Sequence, residues 1–247
     1  MDSTLSSNCH APELRIRQKC LDCDLRRSGF FCNLPIGELV AFDALTITRV
    51  FPRDSTLFLE GQPASGIFVI CQGRVKLSTC SRDGKKIVVA VAEPGEVLGL
   101  SSIMAGFDHE VTAEAIEISQ VDHIPADKFL SFIEENPAAS IRAIRQLSRN
   151  YHEAHKKLCS FGTAEPVVVK LAKLFLEWCS RESSKTTTIH MQNQFTHEEI
   201  AEMIGASRET VTRALREMRE RGLLTLKGSE LDIHNRRLLE VTAERPF

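Results

Sequence analysis

The sequence predicts an α+β protein in which an N-terminal β-roll, a jelly-roll of antiparallel strands, is followed by a long helix and a C-terminal winged helix-turn-helix. Three observations predict it. Between about Thr48 and Ile124, short β-like runs alternate with glycine turns; from Pro137 to about Cys159, apolar residues recur three and four apart; and Phe195–Arg221 holds two short helical patterns joined at Gly205. These features divide the chain into residues 1–34, rich in cysteine, the roll over 35–136, the long helix over 137–161, and the winged domain over 162–247.

Length and composition bound what such a chain does. At 247 residues, 43% of them hydrophobic, it holds two ordinary cores and a connecting element and is not disordered. A formal charge of -2 excludes a globally basic coat, so any contact with nucleic acid comes from a local patch. The start, MDSTLSSNCH, is not a secretory leader, and no run has the uninterrupted apolar length of a membrane span; a cytoplasmic protein without a membrane partner is expected.

In a reducing compartment the eight cysteines do not read as a disulfide framework. Cys9, Cys20, Cys23 and Cys32 all fall in the first 32 residues, the last three spaced C-x2-C-x8-C. A segment so poor in periodic apolar residues does not build its own core, and a metal would order it. Thiolates two residues apart reach one centre from a tight loop, and a third completes most of a four-ligand shell for zinc or an iron–sulfur cluster. Cys71, Cys80, Cys159 and Cys179 are scattered and carry no expected chemistry; Cys71 alternates with apolar residues and reads as core.

The roll is read from TLFLEG, GIFVICQG, RVKLSTCSRDGKKIVVAVAEPGEVLGL and EISQVDHI, whose turn spacing suits an antiparallel barrel or jelly roll. After Pro137, Ile141, Ile144, Ser148, Tyr151, His155 and Leu158 form a seam suited to helix–helix pairing, with Leu147 and Ala154 beside it. Phe161–Thr163 is the expected hinge, with Gly162 as its flexible point. Glu165–Cys179 is amphipathic, RESSKTTT is a polar connector, IHMQNQF is strand-like, and the last fourteen residues, from His234, are a short stretch that ends near the surface.

In Phe195–Arg221, Thr196 and Glu199 form a capping box for the first helix, and Ser207 caps the second. Ile200, Ile204, Val211, Leu215 and Met218 fall on the inner faces, which turns Arg208, Glu209, Thr212, Arg213 and Arg216 outward. Arginine at such a place donates twice to guanine in a major groove, and glutamate accepts from cytosine. The candidate DNA-binding set is Thr196, Ser207, Arg208, Glu209, Thr210, Thr212 and Arg213. Gly222 closes the second helix, and LLTLK and ELDI flank Gly228 as the two strands of a wing.

SRETVTR, Ser207–Arg213, closely resembles the recognition helix of the Crp/Fnr family, the cyclic-AMP receptor and fumarate-nitrate reduction regulators. The likeness extends into the roll through EG, G-I-F-V-I-x-x-G-R-V-K-L, D-G-K and P-G-E-V-L-G. It implies a homodimeric transcription regulator whose long helix forms the dimer interface, with palindromic double-stranded DNA and RNA polymerase as partners. SRETVTR lies nearer the cyclic-AMP receptor than the oxygen sensors, which implies TGTGA-like half-sites. Family members that bind cyclic nucleotide carry a glutamate, an arginine and a serine or threonine in the roll; the matching positions here are Leu100, His109 and Glu110, and cyclic AMP is not expected to bind. The oxygen-sensing branch holds a 4Fe-4S cluster through N-terminal cysteines and one cysteine of the roll. By that likeness Cys20, Cys23 and Cys32 are ligands, and the roll position is Asp122, either the fourth ligand or an exposed strand-end aspartate, with Cys9 as its competitor. Zinc in place of the cluster, with another effector in the roll, is the alternative. A thiol-disulfide enzyme is a remote one, because C-x-x-C is not set in a βαβ pattern and no triad, phosphate loop or HExxH motif is present.

Overall fold

The computed structural model describes residues 20–27, 29–81, 84, 86–161, 165–181, 189–192, 195–228 and 230–244. The expected hinge at Gly162 and Thr163, most of the connector that follows Arg181, and Cys9 lie outside them.

The roll consists of two four-stranded antiparallel sheets. One has the order β1 (Ile47–Phe51), β8 (Ser119–Pro125), β3 (Gly66–Gln72), β6 (Val97–Leu98); the other β2 (Thr56–Phe58), β7 (Thr112–Ala115), β4 (Val75–Cys80), β5 (Lys86–Ala92). Successive side chains of a strand point to opposite faces. In β3, Phe68 and Ile70 therefore enter the interior with Phe58, Val75, Leu98, Ala113 and Val121. Ile67 and Val69 turn to the outer face, which is also buried. There α1 (Ile36–Asp43), α3 (Ala126–Glu135) and α4 (Pro137–Phe161) form a helical layer through Leu39, Phe42, Phe129 and Ala143. Burial on both faces explains why GIFVI reads as a continuous apolar run. Between β6 and β7 lies the short helix α2 (Leu100–Ala105), which opens from Gly99 in the left-handed conformation, φ 76°.

Proline and asparagine separate α3 from α4. Pro137 forces the preceding residue out of helical geometry, and Asn136 is extended at φ -123° while its side-chain amide donates to the Phe132 carbonyl at 2.7 Å. In α4, Ala139, Ala143 and Gln146 face the roll, whereas Ile141, Ile144, Ser148, Tyr151 and His155 of the expected seam are exposed.

The second domain packs α5 (Val167–Arg181), α6 (His197–Ile204), α7 (Arg208–Glu220) and α8 (Arg236–Glu244) against a three-stranded antiparallel sheet, β10 (Leu224–Lys227), β11 (Glu230–Ile233), β9 (Ile189–Gln192). Most of the last fourteen residues form α8. Asn235 caps it by accepting from the Leu238 backbone N–H at 2.9 Å, and Leu239 and Thr242 are fully buried. Its apolar positions are too few for periodicity to reveal them; packing on α5 forms the helix.

Candidate nucleic-acid interface and metal centre

Local chemistry fixes the turn between α6 and α7. Thr196 accepts from the Glu199 backbone N–H at 3.2 Å, and the Glu199 carboxylate accepts from the Thr196 N–H at 2.9 Å, which completes the capping box. Gly205, φ 66°, ends α6 in a conformation that L side chains rarely adopt. Two residues later the Ser207 hydroxyl accepts from the Thr210 N–H at 3.3 Å and starts α7. Ile200, Ile204, Val211, Leu215 and Met218 are all buried, which fixes the rotation of α7.

With that face inward, Arg208, Glu209, Thr212, Arg213 and Arg216 are exposed, as are Ser207 and Thr196. Thr210 is half-buried, and its hydroxyl is 3.0 Å from that of Ser207. Thr212 donates to the Arg208 carbonyl at 2.9 Å and lies 3.0 Å from His197 Nδ1, which ties the middle of α7 to the start of α6. The Glu209 carboxylate is held below its ordinary range by its own backbone N–H and the Ser207 hydroxyl, so it is an anionic acceptor at the helix start. The arginines flank a shallow cleft of about 630 Å³ with His197 and Leu226 on its walls. Beyond it β10 and β11 turn at Gly228, φ 59°, as the expected wing.

The cysteine segment packs against the outer face of the roll. Cys20 opens one short 3-10 turn and Cys23 lies between it and the next, both half-buried, and Cys32 is buried. Apolar packing orders this segment: Phe31 and Leu34 are buried in the helical layer, where Phe31 stacks on Phe42 at 5.3 Å and meets Phe129 edge-on. Full burial of one such ring contributes roughly 1.5–3 kcal/mol. Gly29 passes so close that a Cβ there would lie 2.8 Å from Cys32 Sγ and 3.1 Å from the Gly95 Cα.

Asp122 is 6% exposed in the middle of β8, which removes the reading of an exposed strand-end residue. It accepts from the Thr48 hydroxyl at 2.6 Å and from the Cys71 thiol at 3.2 Å. Cys71, expected in the core, is half-buried on the outer face of β3, beside a carboxylate. Burial, then the charge of Asp122 and its hydrogen bond, push the Cys71 thiol up, with further contributions from Cys20 and Cys32. Cys20 is raised likewise by burial, then by a hydrogen bond with Asp43 and the charges of Asp43, Asp122 and Cys32. Among the described residues no ammonium or guanidinium pairs with Asp122, and a buried carboxylate without a cation is costly. Soft thiols gathered round a buried carboxylate fit a metal centre in donor type. Among the described residues, however, no three His, Cys, Asp or Glu side chains are grouped so as to hold a metal ion.

At the positions matched to nucleotide recognition, Leu100 is 1% exposed and His109 is 3% exposed, its ring stacked on Phe58 at 3.8 Å. Burial lowers the His109 pKa, which favours the neutral imidazole.

Two sets of contacts join these parts. Arg142 of α4 donates to the Asn33 carbonyl at 2.9 Å, and the Arg149 guanidinium sits 4.6 Å over the Phe30 ring, so the cysteine segment grips the long helix. Lys76 of β4, 5% exposed, donates to Glu199 of α6 at 2.8 Å and pairs with Glu114 at 3.5 Å, which fastens the helix-turn-helix to the roll. Ile116 is buried in the second domain's core beside Val91. Sequence patterns do not reveal this junction, since a lysine in a strand ordinarily signals a solvent face.

Comparison with known proteins agrees with this architecture. Residues 48–136 match the Cyclic nucleotide-binding domain family and residues 169–242 the Crp-like helix-turn-helix domain family. The chain is 27% identical over 212 residues to the CRP-like cAMP-activated global transcriptional regulator of Mycobacterium tuberculosis, covering 85% of this chain and 94% of that protein. It is 27% identical over 207 residues to the Global nitrogen regulator of Nostoc sp., covering 81% and 89%. The solved structure of FixK2 from Bradyrhizobium japonicum superposes with a TM-score of 0.70 at 22% identity, over 79% of this chain and 96% of that one, and shares its fold. No helix among the described residues is long and apolar enough to cross a membrane. The chain thus carries a Cyclic nucleotide-binding domain followed by a Crp-like helix-turn-helix domain, and over most of its length it is similar to transcription regulators of the Crp type.

Proposed function

We propose that the chain works as a homodimer that reads an inverted repeat of TGTGA-like half-sites and is switched by an iron–sulfur centre, in response to oxygen, nitric oxide or redox state. One observation carries the switch. The segment bearing Cys20, Cys23 and Cys32 packs against the roll, where the charge of Asp122 acts on Cys20, and grips α4 through Arg142 and Arg149. A change at the thiols therefore bears on the helix whose exposed seam, Ile141, Ile144 and Tyr151, pairs with a second copy. That pairing sets the separation of the two α7 helices against consecutive major grooves. Cys20, Cys23 and Cys32 would hold the 4Fe-4S cluster, with Asp122 or Cys9 completing the set. Such a cluster supplies a reactivity toward oxidants that a tetrahedral zinc site lacks. Cyclic AMP is not the effector, given Leu100 and His109 where its pocket would stand. RNA polymerase is the partner through which DNA binding acts on transcription.

Anaerobic purification followed by iron, sulfide and zinc analysis tests the reading. Iron and sulfide together, lost on exposure to air with a change in DNA affinity, are the expected result. Zinc without iron would establish the structural-zinc alternative, and absence of any metal would refute both.

A further inference from the structure

His197, the first residue of α6, stands outside the DNA-contacting set read from the sequence, yet its half-buried ring lines the same cleft as the arginines of α7. The Thr212 hydroxyl has one hydrogen and gives it to the Arg208 carbonyl at 2.9 Å. Towards His197 Nδ1, 3.0 Å away, it therefore accepts, and the proton of the neutral ring sits on Nδ1. The other ring nitrogen, Nε2, makes no hydrogen bond with a described residue. We propose that His197 is a further phosphate contact of the DNA interface, made by the Nε2–H of the protonated ring, so that DNA binding takes up a proton at this residue.

This rests on the DNA-binding reading above, and the charges around the ring carry it further. From α7, Arg208, Arg213, Arg216 and Arg219 line the cleft with a single carboxylate, Glu209, and β10 adds the apolar Leu226. Arg216 is paired with Glu220 at 2.9 Å, an exposed contact that a phosphate can displace. On α6 itself Glu198 is exposed and Glu199 is turned to Lys76 of the roll. α5 and β5 bring Lys170 to the Ile204 carbonyl and Lys86 beside Glu202, farther along α6. The cleft wall is thus cationic, and a DNA phosphate is the anion that such a wall collects. A phosphate at Nε2 favours the charged ring, because an opposite charge stabilises the ionised form of its neighbour. The effect is reciprocal, so protonation of the ring strengthens DNA binding by the same factor. Nδ1–H stays on Thr212 in both forms; the ring keeps its place, and only Nε2 changes from acceptor to donor.

The test uses the full chain, purified anaerobically as wild type, His197→Asn, His197→Arg and His234→Gln, the last a control at an exposed histidine of the same domain that bonds Thr225. Asparagine places an amide where Nδ1 stands and keeps the bond to Thr212 without a second nitrogen, and arginine is cationic throughout. Affinity is measured by fluorescence anisotropy between about pH 6 and about pH 8 at fixed ionic strength. One duplex carries inverted TGTGA-like half-sites and another a scrambled sequence, since a phosphate contact acts on both. Wild type should bind roughly three- to ten-fold more tightly at the acid end than at the basic end. His197→Asn should lose that dependence and, at the acid end, lower the salt slope of log K by about one per subunit. His197→Arg should bind at the basic end as wild type does at the acid end, and His234→Gln should follow wild type. A pH dependence in His197→Asn equal to that of wild type would overturn the assignment and leave DNA binding standing. A wild type that binds neither duplex would overturn both.

Discussion

Replacing Lys76 by methionine removes the one cation between Glu199 and Glu114, and the structure lets its cost be worked out. The Lys76–Glu199 contact is 2.8 Å, the lysine is 5% exposed, and the Glu199 and Glu114 side chains are 19% and 21% exposed. Breaking one partner of a fully buried pair costs about 3–5 kcal/mol. Residual exposure of the carboxylates, and Lys86 at 3.2 Å from Glu114, lower that to roughly 2–4 kcal/mol. Burial alone would lower the Lys76 pKa, but the hydrogen bond and charge of Glu199, with those of Glu114, raise it. Burial likewise works to raise Glu199, and its bonds to Lys76 and Thr196 lower it. The raised lysine contributes stability that is complete below its ordinary value of 10.5 and lost as pH rises through the folded value. The depressed glutamate contributes stability present above 4.5 and lost as pH falls through its folded value. The penalty of Lys76→Met should therefore be full near neutrality and shrink at both extremes. Urea unfolding of wild type, Lys76→Met, Glu199→Gln and the double variant measures the coupling; glutamine preserves the capping box. A coupling of about 1–3 kcal/mol is expected. Additivity within about 0.5 kcal/mol would show that the pair holds nothing together.

Other outcomes follow from the same structure. Cys20→Ser, Cys23→Ser and Cys32→Ser should each abolish iron retention on anaerobic analysis, whereas Cys80→Ser should not. Gly29→Ala would drive a Cβ to 2.8 Å from Cys32 Sγ and should displace the segment, lowering iron content while circular dichroism of the roll is unchanged. Arg208→Ala should weaken specific binding by about 1–3 kcal/mol and relax preference at one base pair, read by selection from random DNA, where a single unrepeated half-site would refute the dimeric assignment. Millimolar cyclic AMP should leave the thermal midpoint unmoved, and a saturable rise would show a pocket at Leu100 and His109 after all.

The winged helix-turn-helix was legible in the chain because its determinants are local. Thr196 and Glu199 sit three residues apart, Ser207 stands at a helix start, and the buried residues of α6 and α7 repeat at helical spacing. The outward set from Arg208 to Arg216 follows from that periodicity without tertiary information. The glycine-spaced strands of the roll and the seam of α4 were equally readable. Tertiary structure alone decided the rest, because it joins residues far apart in sequence. Asp122 gains Thr48 and Cys71 from strands separated from it by 74 and 51 residues, which turns an ordinary aspartate and an ordinary core cysteine into a pair. Lys76 and Glu199, 123 residues apart, become an interdomain lock for the same reason. Periodicity reports which face of an element is buried, whereas the partner waiting on that face is set by how the chain folds back.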